Sequence, residues 1–478
     1  MPQALIALIL LLTPLVGCAA KDNPRLDAIY NRAAQHYGPD RNPVIVIPGI
    51  LGSRLKDPQT GRLVWGAFDN EYIRPTSAEG ARLIALPMEQ GKPLNQLHSR
   101  LVPDGALDTV NVSIFWLPFE LGAYVQILET LGAGGYRDEQ FAQAGTVDYG
   151  TDHFTCFQFA YDWRRDNVEN AHALLDFIDE KRKLVQDAYL RDYGIANADV
   201  KFDIVAHSMG GLLTRYALRY GRADLPTDGS TPEVTWAGAE HIDQVILVAT
   251  PSAGSVYSML QLQEGAKLPI FWPDYEPALL GTMPAIYQLL PRPRHGGYID
   301  ETTRQPINSI YDAHYWEEMG WSLLDPDQDD ILQQLLPNAT TREHRLVIAR
   351  DHTAKALHRA RLFHEALDIP ANRPEHLELH LFAADSRETG AILAINQETG
   401  RTHITGTAPG DTTVLRTSAL MDERLNGNWT PQLRSPIDWT SVTFLFSDHI
   451  GLTKSKAFSD NVLYKLLEQP SDPPVPGS

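Results

Sequence analysis

One serine lies at the apex of a short turn between an apolar, strand-like run and a helix-like run. Ser208 is in the hexapeptide AHSMGG (residues 206–211), which follows the apolar run 202–205 and precedes the helical pattern 212–216. The positions two before and two after the serine are small, because incoming strand and outgoing helix pass too close for larger side chains. Such a turn points the hydroxyl out of the sheet. The pattern indicates a serine nucleophile for acyl chemistry.

Composition excludes several other classes of function. The chain has 478 residues, 41 Lys and Arg against 60 Asp and Glu, and a formal net charge of −19 without a basic run. A nucleic-acid partner is therefore not expected. The two cysteines, Cys18 and Cys156, are too few for a zinc site built on thiolates. Cys156 lies in a strand-like run at 154–159, and we expect it to be a buried apolar residue.

The first 18 residues resemble a bacterial lipoprotein signal. Their apolar stretch 4–12 is too short to span a bilayer but suits the hydrophobic region of a signal peptide. Residues 15–18 (LVGC) resemble a lipobox, although no Lys or Arg precedes the stretch; a plain secretory signal is the alternative. We expect a signal at 1–17 and a tether at 18–40 lipidated at Cys18. The protein would then be exported and anchored to a bacterial membrane, the outer membrane, facing the periplasm or the surface.

Four apolar runs predict core strands, at 44–47, 201–206, 242–249 and 441–446. The first and third are uniformly apolar, which suits strands buried on both faces of a mostly parallel sheet. A clear helical pattern at 170–193 lies between two of these runs. Alternation of strands and helices predicts a doubly wound α/β fold.

Two insertions, at about 54–118 and at 255–345, are too long to be ordinary loops. We predict that 255–345, which is apolar and contains Pro and Trp, is a cap or lid over a substrate cleft. Extra core packing and a dimer contact are the alternatives. The core then comprises 41–254 and 346–468, and the Pro- and Ser-rich tail 469–478 is expected to be disordered.

A serine nucleophile needs a base and an acid that orients the base. In α/β-hydrolases the chain order is serine, acid, histidine. After His403 the chain contains one histidine, His449, on the loop that follows the last predicted strand, and we predict that it is the base. Asp385 and Asp411 both lie between Ser208 and His449 in positions suited to the acid. The residues alone do not decide between them.

The loop PGILGS (residues 48–53) follows the first predicted strand. Its glycines allow the backbone to approach a substrate, so we expect the backbone N–H groups of Ile50 and Met209 to form an oxyanion hole. A tight turn without a chemical role is the alternative. This chemistry requires no metal and no organic cofactor.

Several motifs together resemble the lecithin:cholesterol acyltransferase family, which includes lysosomal phospholipase A2 and phospholipid:diacylglycerol acyltransferases. The resemblance covers roughly residues 41–465. The matching segments are 43–55 (PVIVIPGILGSRL), 131–136 (LGAGGY), 161–164 (YDWR), 206–211 and 283–291.

The resemblance implies an α/β-hydrolase fold with inserted cap segments. The family places its acid in a Gly-Asp-Gly-Thr-Val turn, which favours Asp411 over Asp385, and His449 matches its C-terminal histidine. Thr412 stands where the family has glycine. In the YDWR stretch we expect a local interaction between Asp162 and Arg164 that holds the loop beside the cleft.

The expected activity is a serine-dependent O-acyltransferase or phospholipase acting on glycerolipid or phospholipid esters. Ser208 would be acylated and the acyl group passed to an alcohol or to water. A lipase or carboxylesterase without transferase activity is one alternative. A non-catalytic lipoprotein that uses the fold for binding is the other.

Overall fold

The computed structural model describes residues 24–66, 73–106, 123–228, 230–266, 274–425 and 430–469. The predicted signal 1–17, Cys18 and all but Gln469 of the predicted tail lie outside the described residues.

Within these ranges the strands form one large sheet and two small ones. The strands are β1 (Val44–Ile47), β2 (Ser53–Lys56), β3 (Leu63–Trp65), β4 (Val102–Ala106), β5 (Cys156–Gln158), β6 (Phe202–His207), β7 (Ile242–Val248), β8 (Tyr298–Asp300), β9 (Glu378–Ala384), β10 (Arg387–Ile395), β11 (Thr402–Gly410) and β12 (Ser441–Leu445). The large sheet has the order β12-β9-β7-β6-β1-β5, and every neighbouring pair in it is parallel. The four predicted strands are confirmed, each to within one residue at either end.

The same ranges contain two long helices among many short ones. The helices are α1 (Leu26–Ile29), α2 (Asn31–Ala34), α3 (Ala78–Ile84), α4 (Ala123–Ala133), α5 (Glu139–Gln143), α6 (Asn167–Tyr193), α7 (Met209–Tyr220), α8 (Val256–Glu264), α9 (Pro277–Leu280), α10 (Pro284–Tyr287), α11 (Ala313–Met319), α12 (Asp329–Leu335), α13 (Arg342–Asp368), α14 (Arg416–Leu420) and α15 (Lys456–Leu467). The predicted helix at 170–193 is confirmed as α6. Among the described helices, none combines the length and apolarity needed to cross a membrane.

Strand β1 shows why its sequence is uniformly apolar. Ile45 and Ile47 face a core cluster that includes α6, α7 and α13, whereas Val44 and Val46 face a second cluster with α4 and α15. Successive side chains of a strand point to opposite faces, so a sheet covered by helices on both sides needs apolar residues at every position. The doubly wound architecture is thus confirmed. Cys156, in β5, is buried in the second cluster, as predicted.

Two small sheets flank the core. Strands β3, β2 and β4 form an antiparallel sheet inside the predicted insertion 54–118. In the other, β8 from the 255–345 segment pairs in parallel with β10, and β10 pairs in antiparallel with β11. The segment 255–345 therefore shares a sheet with the chain that follows α13.

Two boundaries in the predicted domain organisation fall inside packed structure. The limit between 345 and 346 lies within α13, which spans 27 residues without interruption. The predicted tether is packed where it is described, because the Tyr30 hydroxyl donates to Asp460 Oδ1 of α15 (2.8 Å). Arg41 donates to the Gly134 carbonyl (2.7 Å) and stacks over Tyr136. Contact with the body of the protein therefore begins well before residue 41.

A buried carboxyl group lies near the start of β6. Asp203 accepts hydrogen bonds from the Asn42 amide (3.2 Å) and the Gln244 amide (3.1 Å). Burial, reinforced by the nearby charge of Asp243, raises the pKa of Asp203 to about 7. The folded protein therefore binds this proton more tightly than the unfolded chain does.

We predict that protonated Asp203 stabilises the folded protein at acidic pH and that this stabilisation is lost as the pH rises. Its contribution is full below the unfolded pKa of about 4 and is lost as the pH rises towards 7, with a slope of at most about 1.4 kcal/mol per pH unit. Asp203→Asn mimics the protonated group, so urea unfolding between pH 5 and pH 8 should show a flatter profile than the wild type. Asp199→Asn, at an exposed position, is the control. Equal profiles for wild type and Asp203→Asn would contradict the prediction.

Candidate active site

Ser208 joins β6 to α7 in a strained backbone conformation. Its φ is 49° and its ψ is −122°, in a region that non-glycine residues rarely adopt. The Ser208 N–H donates to the Val248 carbonyl at the end of β7 (2.7 Å), and the Gly211 N–H donates to the Ser208 carbonyl (2.9 Å). These bonds hold the serine at the carboxyl edge of the sheet. The strand–turn–helix arrangement predicted from the sequence is confirmed.

The two glycines after the serine are required by close packing. A Cβ atom on Gly210 would lie 2.5 Å from the Pro48 carbonyl oxygen, and one on Gly211 would lie 2.1 Å from Thr250 Oγ1. The first turn of α7 thus passes directly against the loops that follow β1 and β7. Larger side chains at these positions would push the helix away from the sheet.

The loop after β1 carries the predicted oxyanion donor Ile50. Leu51 has a φ of 65°, and its carbonyl accepts a hydrogen bond from Trp65 Nε1 (2.8 Å). The Tyr161 hydroxyl donates to the Pro48 carbonyl (2.9 Å). These contacts hold the loop against the start of α7. There Met209 is the first helical residue, whose N–H has no partner within the helix.

Asp411 and His449 are joined by two hydrogen bonds. His449 Nδ1 donates to Asp411 Oδ2 (2.7 Å), and the His449 backbone N–H donates to the Asp411 carbonyl (2.7 Å). The other carboxylate oxygen, Oδ1, accepts from the N–H groups of Thr413 (2.9 Å) and Val414 (2.6 Å). Both side chains are buried. With Nδ1 engaged in this way, Nε2 is the nitrogen of His449 that is suited to proton transfer.

His207, directly before the serine, connects this pair to the Ser208 turn. The ring centroids of His207 and His449 are 5.3 Å apart. Burial lowers the pKa of His207 well below its usual range, and the proximity of His449 lowers it further. His207 is therefore neutral at neutral pH. Sequence analysis missed this residue, and its position beside the serine was the available signal.

Comparison with known proteins finds a family model that is similar to part of the chain. A family model described as "Lecithin:cholesterol acyltransferase" matches residues 135–328, which include the Ser208 turn. The chain has an α/β-hydrolase fold, and its residues 135–328 are similar to the lecithin:cholesterol acyltransferase family. The resemblance predicted from the sequence motifs is thereby confirmed.

A curated relative, "Lecithin-cholesterol acyltransferase-like 4" of Arabidopsis thaliana, is 25% identical over 205 residues. That match covers 39% of this chain and 32% of the relative, so it spans about a third of the plant protein's length. Among solved structures, a chain of the Tle4-Tli4 complex superposes with a TM-score of 0.55 at 16% identity. The superposition covers 89% of this chain and 98% of the chain from the Tle4-Tli4 complex, which shows that the two chains share a fold.

The matched residues 135–328 contain the Asp162–Arg164 pair predicted from the YDWR stretch. Arg164 donates to Asp162 Oδ1 through Nε (2.8 Å) and to Oδ2 through Nη2 (2.7 Å), and both side chains are buried. Arg164 Nη1 also donates to the Leu83 and Ile84 carbonyls at the end of α3 (3.2 and 2.8 Å). The predicted interaction is confirmed. It holds the inserted segment that contains α3 against the α/β-hydrolase core.

Asp385, the other candidate acid, has a different partner. It lies at the end of β9 and forms an ion pair with Arg416 of α14. The Arg416 guanidinium also stacks on the Phe444 ring, 3.9 Å from its centroid. Of the two candidates, the structure brings Asp411 to His449.

Proposed function

We propose that this α/β-hydrolase is a lipid acyl-transfer enzyme whose catalytic triad is Ser208, His449 and Asp411. The donor is a glycerolipid or phospholipid ester, and the acyl group passes through an acyl-enzyme to an alcohol or to water. The hydrogen bond from His449 Nδ1 to Asp411 Oδ2, beside the strained Ser208 turn, carries the proposal.

In the proposed reaction the Ser208 hydroxyl attacks the ester carbonyl carbon while His449 Nε2 takes the hydroxyl proton. Asp411 keeps Nδ1 protonated and stabilises the imidazolium. The oxyanion of the tetrahedral intermediate accepts hydrogen bonds from the backbone N–H groups of Ile50 and Met209. His449 returns the proton to the departing alkoxide, which leaves an acyl-serine. The acceptor alcohol or water then reacts with the acyl-serine by the reverse sequence of proton transfers.

Two observations support a lipid as the acyl donor. The family model that matches residues 135–328 is that of an acyltransferase named for lecithin. In addition, Phe446, three residues before His449, is 93% exposed. An exposed aromatic side chain beside the site offers an apolar contact to an acyl chain or a lipid surface.

One test of this proposal concerns the nucleophile. Ser208→Ala should abolish both hydrolysis of a p-nitrophenyl ester and labelling by a fluorophosphonate probe, because no other group supplies the attacking oxygen. Thermal unfolding should be nearly unchanged, since the hydroxyl lies at the apex of the turn and alanine removes only that one oxygen atom. Ser386→Ala, at an exposed position, is the matched control. Turnover by the Ser208→Ala variant would contradict the proposal.

The same assay, with phospholipid vesicles and a long-chain alcohol, identifies the substrates. A new alcohol ester shows transfer, and free fatty acid alone restricts the enzyme to hydrolysis. Failure to release acyl chains from phospholipid or glycerolipid, with p-nitrophenyl ester cleavage retained, would reject the lipid donor and leave the triad standing.

Another test of the proposal concerns the acid. Asp411→Asn should lower kcat by a factor on the order of 10³–10⁴, because the amide favours the wrong tautomer of His449. Asp385→Asn removes only the ion pair with Arg416 and should change kcat by less than about tenfold. Steady-state kinetics on a soluble ester compare the two. A larger loss in Asp385→Asn than in Asp411→Asn would reverse the assignment.

We also propose that Cys18 carries a lipid that anchors the protein to a bacterial membrane after export. The lipobox-like residues 15–18 support this proposal. In a bacterial host, labelled palmitate should be incorporated into the wild type and into Cys156→Ala, whose thiol is buried in the core, but not into Cys18→Ser. Loss of the label in Cys156→Ala, or its retention in Cys18→Ser, would contradict the anchor.

A further inference from the structure

We infer that Thr389, on β10, is a positioning residue for Asp411. Its hydroxyl group holds the backbone of Thr412 in the turn that aims the Asp411 carboxylate at His449. The inference rests on the proposed roles of Asp411 and His449.

The turn after Asp411 contains an unfavourable backbone conformation. Thr412 has a φ of 81°. A β-branched residue in this region is a genuine outlier, because its two Cβ substituents crowd the backbone. Such a residue stays in place only where the surrounding structure holds it. A contact from the surrounding structure must therefore hold the backbone of Thr412 at this positive φ.

Thr389 supplies that contact through a hydrogen bond. Its Oγ1 accepts a hydrogen bond from the Thr412 N–H (2.9 Å) and donates to the Arg387 carbonyl (3.2 Å). Thr389 is completely buried, and a Cβ atom on Gly410 would lie 2.5 Å from its Oγ1. The hydroxyl is thus packed against Gly410, the residue that precedes Asp411.

The geometry of Asp411 depends on the residues that follow Thr412. Both backbone N–H groups that hold Asp411 Oδ1, those of Thr413 and Val414, come after the strained residue. Ser255 Oγ donates to the Thr413 carbonyl (2.6 Å) and holds the far side of the turn. If Thr412 relaxed to a negative φ, these N–H groups would rotate away from the carboxylate. Asp411 would then lose its fixed orientation towards His449.

Three substitutions separate this role from simple packing. Thr389→Val keeps the shape of the side chain but cannot accept the Thr412 hydrogen bond. Thr389→Ser keeps the hydroxyl with less packing. Thr412→Gly adopts a φ of 81° without strain, so the turn no longer needs the hydroxyl.

We expect Thr389→Val to lower kcat by about 10- to 100-fold on a soluble ester, because a small misplacement of a catalytic group has an effect of that size. KM should be nearly unchanged. Thr389→Ser should retain most of the wild-type kcat. The double variant Thr389→Val with Thr412→Gly should recover most of the loss. Melting temperatures are measured in parallel, because both variants should lose stability: the serine variant loses packing, and the valine variant leaves the Thr412 N–H without its acceptor. Only the valine variant should also lose kcat, and only that loss should be recovered in the double variant.

The pH–rate profile gives a second readout. His449 faces the Asp411 carboxylate through Nδ1, the centroid of its ring lies 5.3 Å from that of His207, and Asp448 precedes it in the chain. A displaced carboxylate stabilises the imidazolium less, so the acid limb of kcat/KM should move to lower pH in Thr389→Val. It should return in the double variant. The downfield ¹H NMR signal of the His449 Nδ1–H should weaken and return in the same two proteins.

Wild-type kcat and an unshifted acid limb in Thr389→Val would overturn the inference and leave the triad intact. Equal losses in the valine and serine variants, without rescue by Thr412→Gly, would also overturn it, because packing alone would then explain the effect. If Asp411→Asn and Thr389→Val both retain full activity, the proposed triad is wrong. The inference is then wrong as well, because it rests on the role of Asp411. If Thr389→Val fails to fold, kcat is measured on the double variant instead. Full activity of the double variant supports the inference, and a folded but inactive double variant overturns it.

Discussion

The close approach of α7 to the ends of β1 and β7 is the constraint on which the site depends. The space beside Gly210 and Gly211 is too small for a Cβ atom, so the helix starts against the sheet and leaves Ser208 in a strained turn at the sheet's edge. In a parallel sheet the carboxyl ends of neighbouring strands meet at one edge. The loop with Ile50 and the one with His449 follow β1 and β12, and so reach the same edge as Ser208. The parallel sheet thereby brings together groups that are far apart in the sequence, and the close approach of α7 places Ser208 among them.

The C-terminal end of the long helix α13 packs against the same helix, α7. Arg215 donates to the Leu367 carbonyl (2.9 Å), and the Tyr220 hydroxyl donates to the Ala366 carbonyl (2.6 Å). Carbonyls in the last turn of a helix lack partners within it, so these bonds satisfy groups that would otherwise be buried without one. Arg292 further binds Asp368, the last residue of α13. The chain that leads from α13 into β9 and the β10–β11 hairpin is therefore tied to the helix that begins at the serine.

Sequence patterns predicted the parts of the fold that have a strong periodic signal. Strand β1 and helix α6 were found because burial demands apolar residues at regular positions over their whole length. The β10–β11 hairpin was missed, since β11 lies at the edge of a small sheet and its residues alternate between partly buried and exposed positions filled largely by Thr, Gly and Pro. The start of α13 was also missed, and the boundary at 345 was misplaced for that reason. Thirteen of its 27 residues are buried, but polar side chains such as Arg345, His352 and His364 are among them, so the buried face is not a simple apolar stripe.

By itself the sequence determined the nucleophile candidate and the base candidate. Ser208 lies in a local pattern that only a sharp strand–helix turn requires, and His449 is the one histidine after His403. The residues alone left Asp385 and Asp411 equivalent, and the choice of Asp411 rested on resemblance. Which carboxylate contacts His449 was decided by tertiary structure. The hairpin carries Gly410 and Asp411 back to the sheet edge, while Arg416 engages Asp385. That outcome depends on the packing of β10, the hydroxyl of Thr389 and the strained backbone of Thr412, and none of these leaves a periodic or spaced signal in the chain.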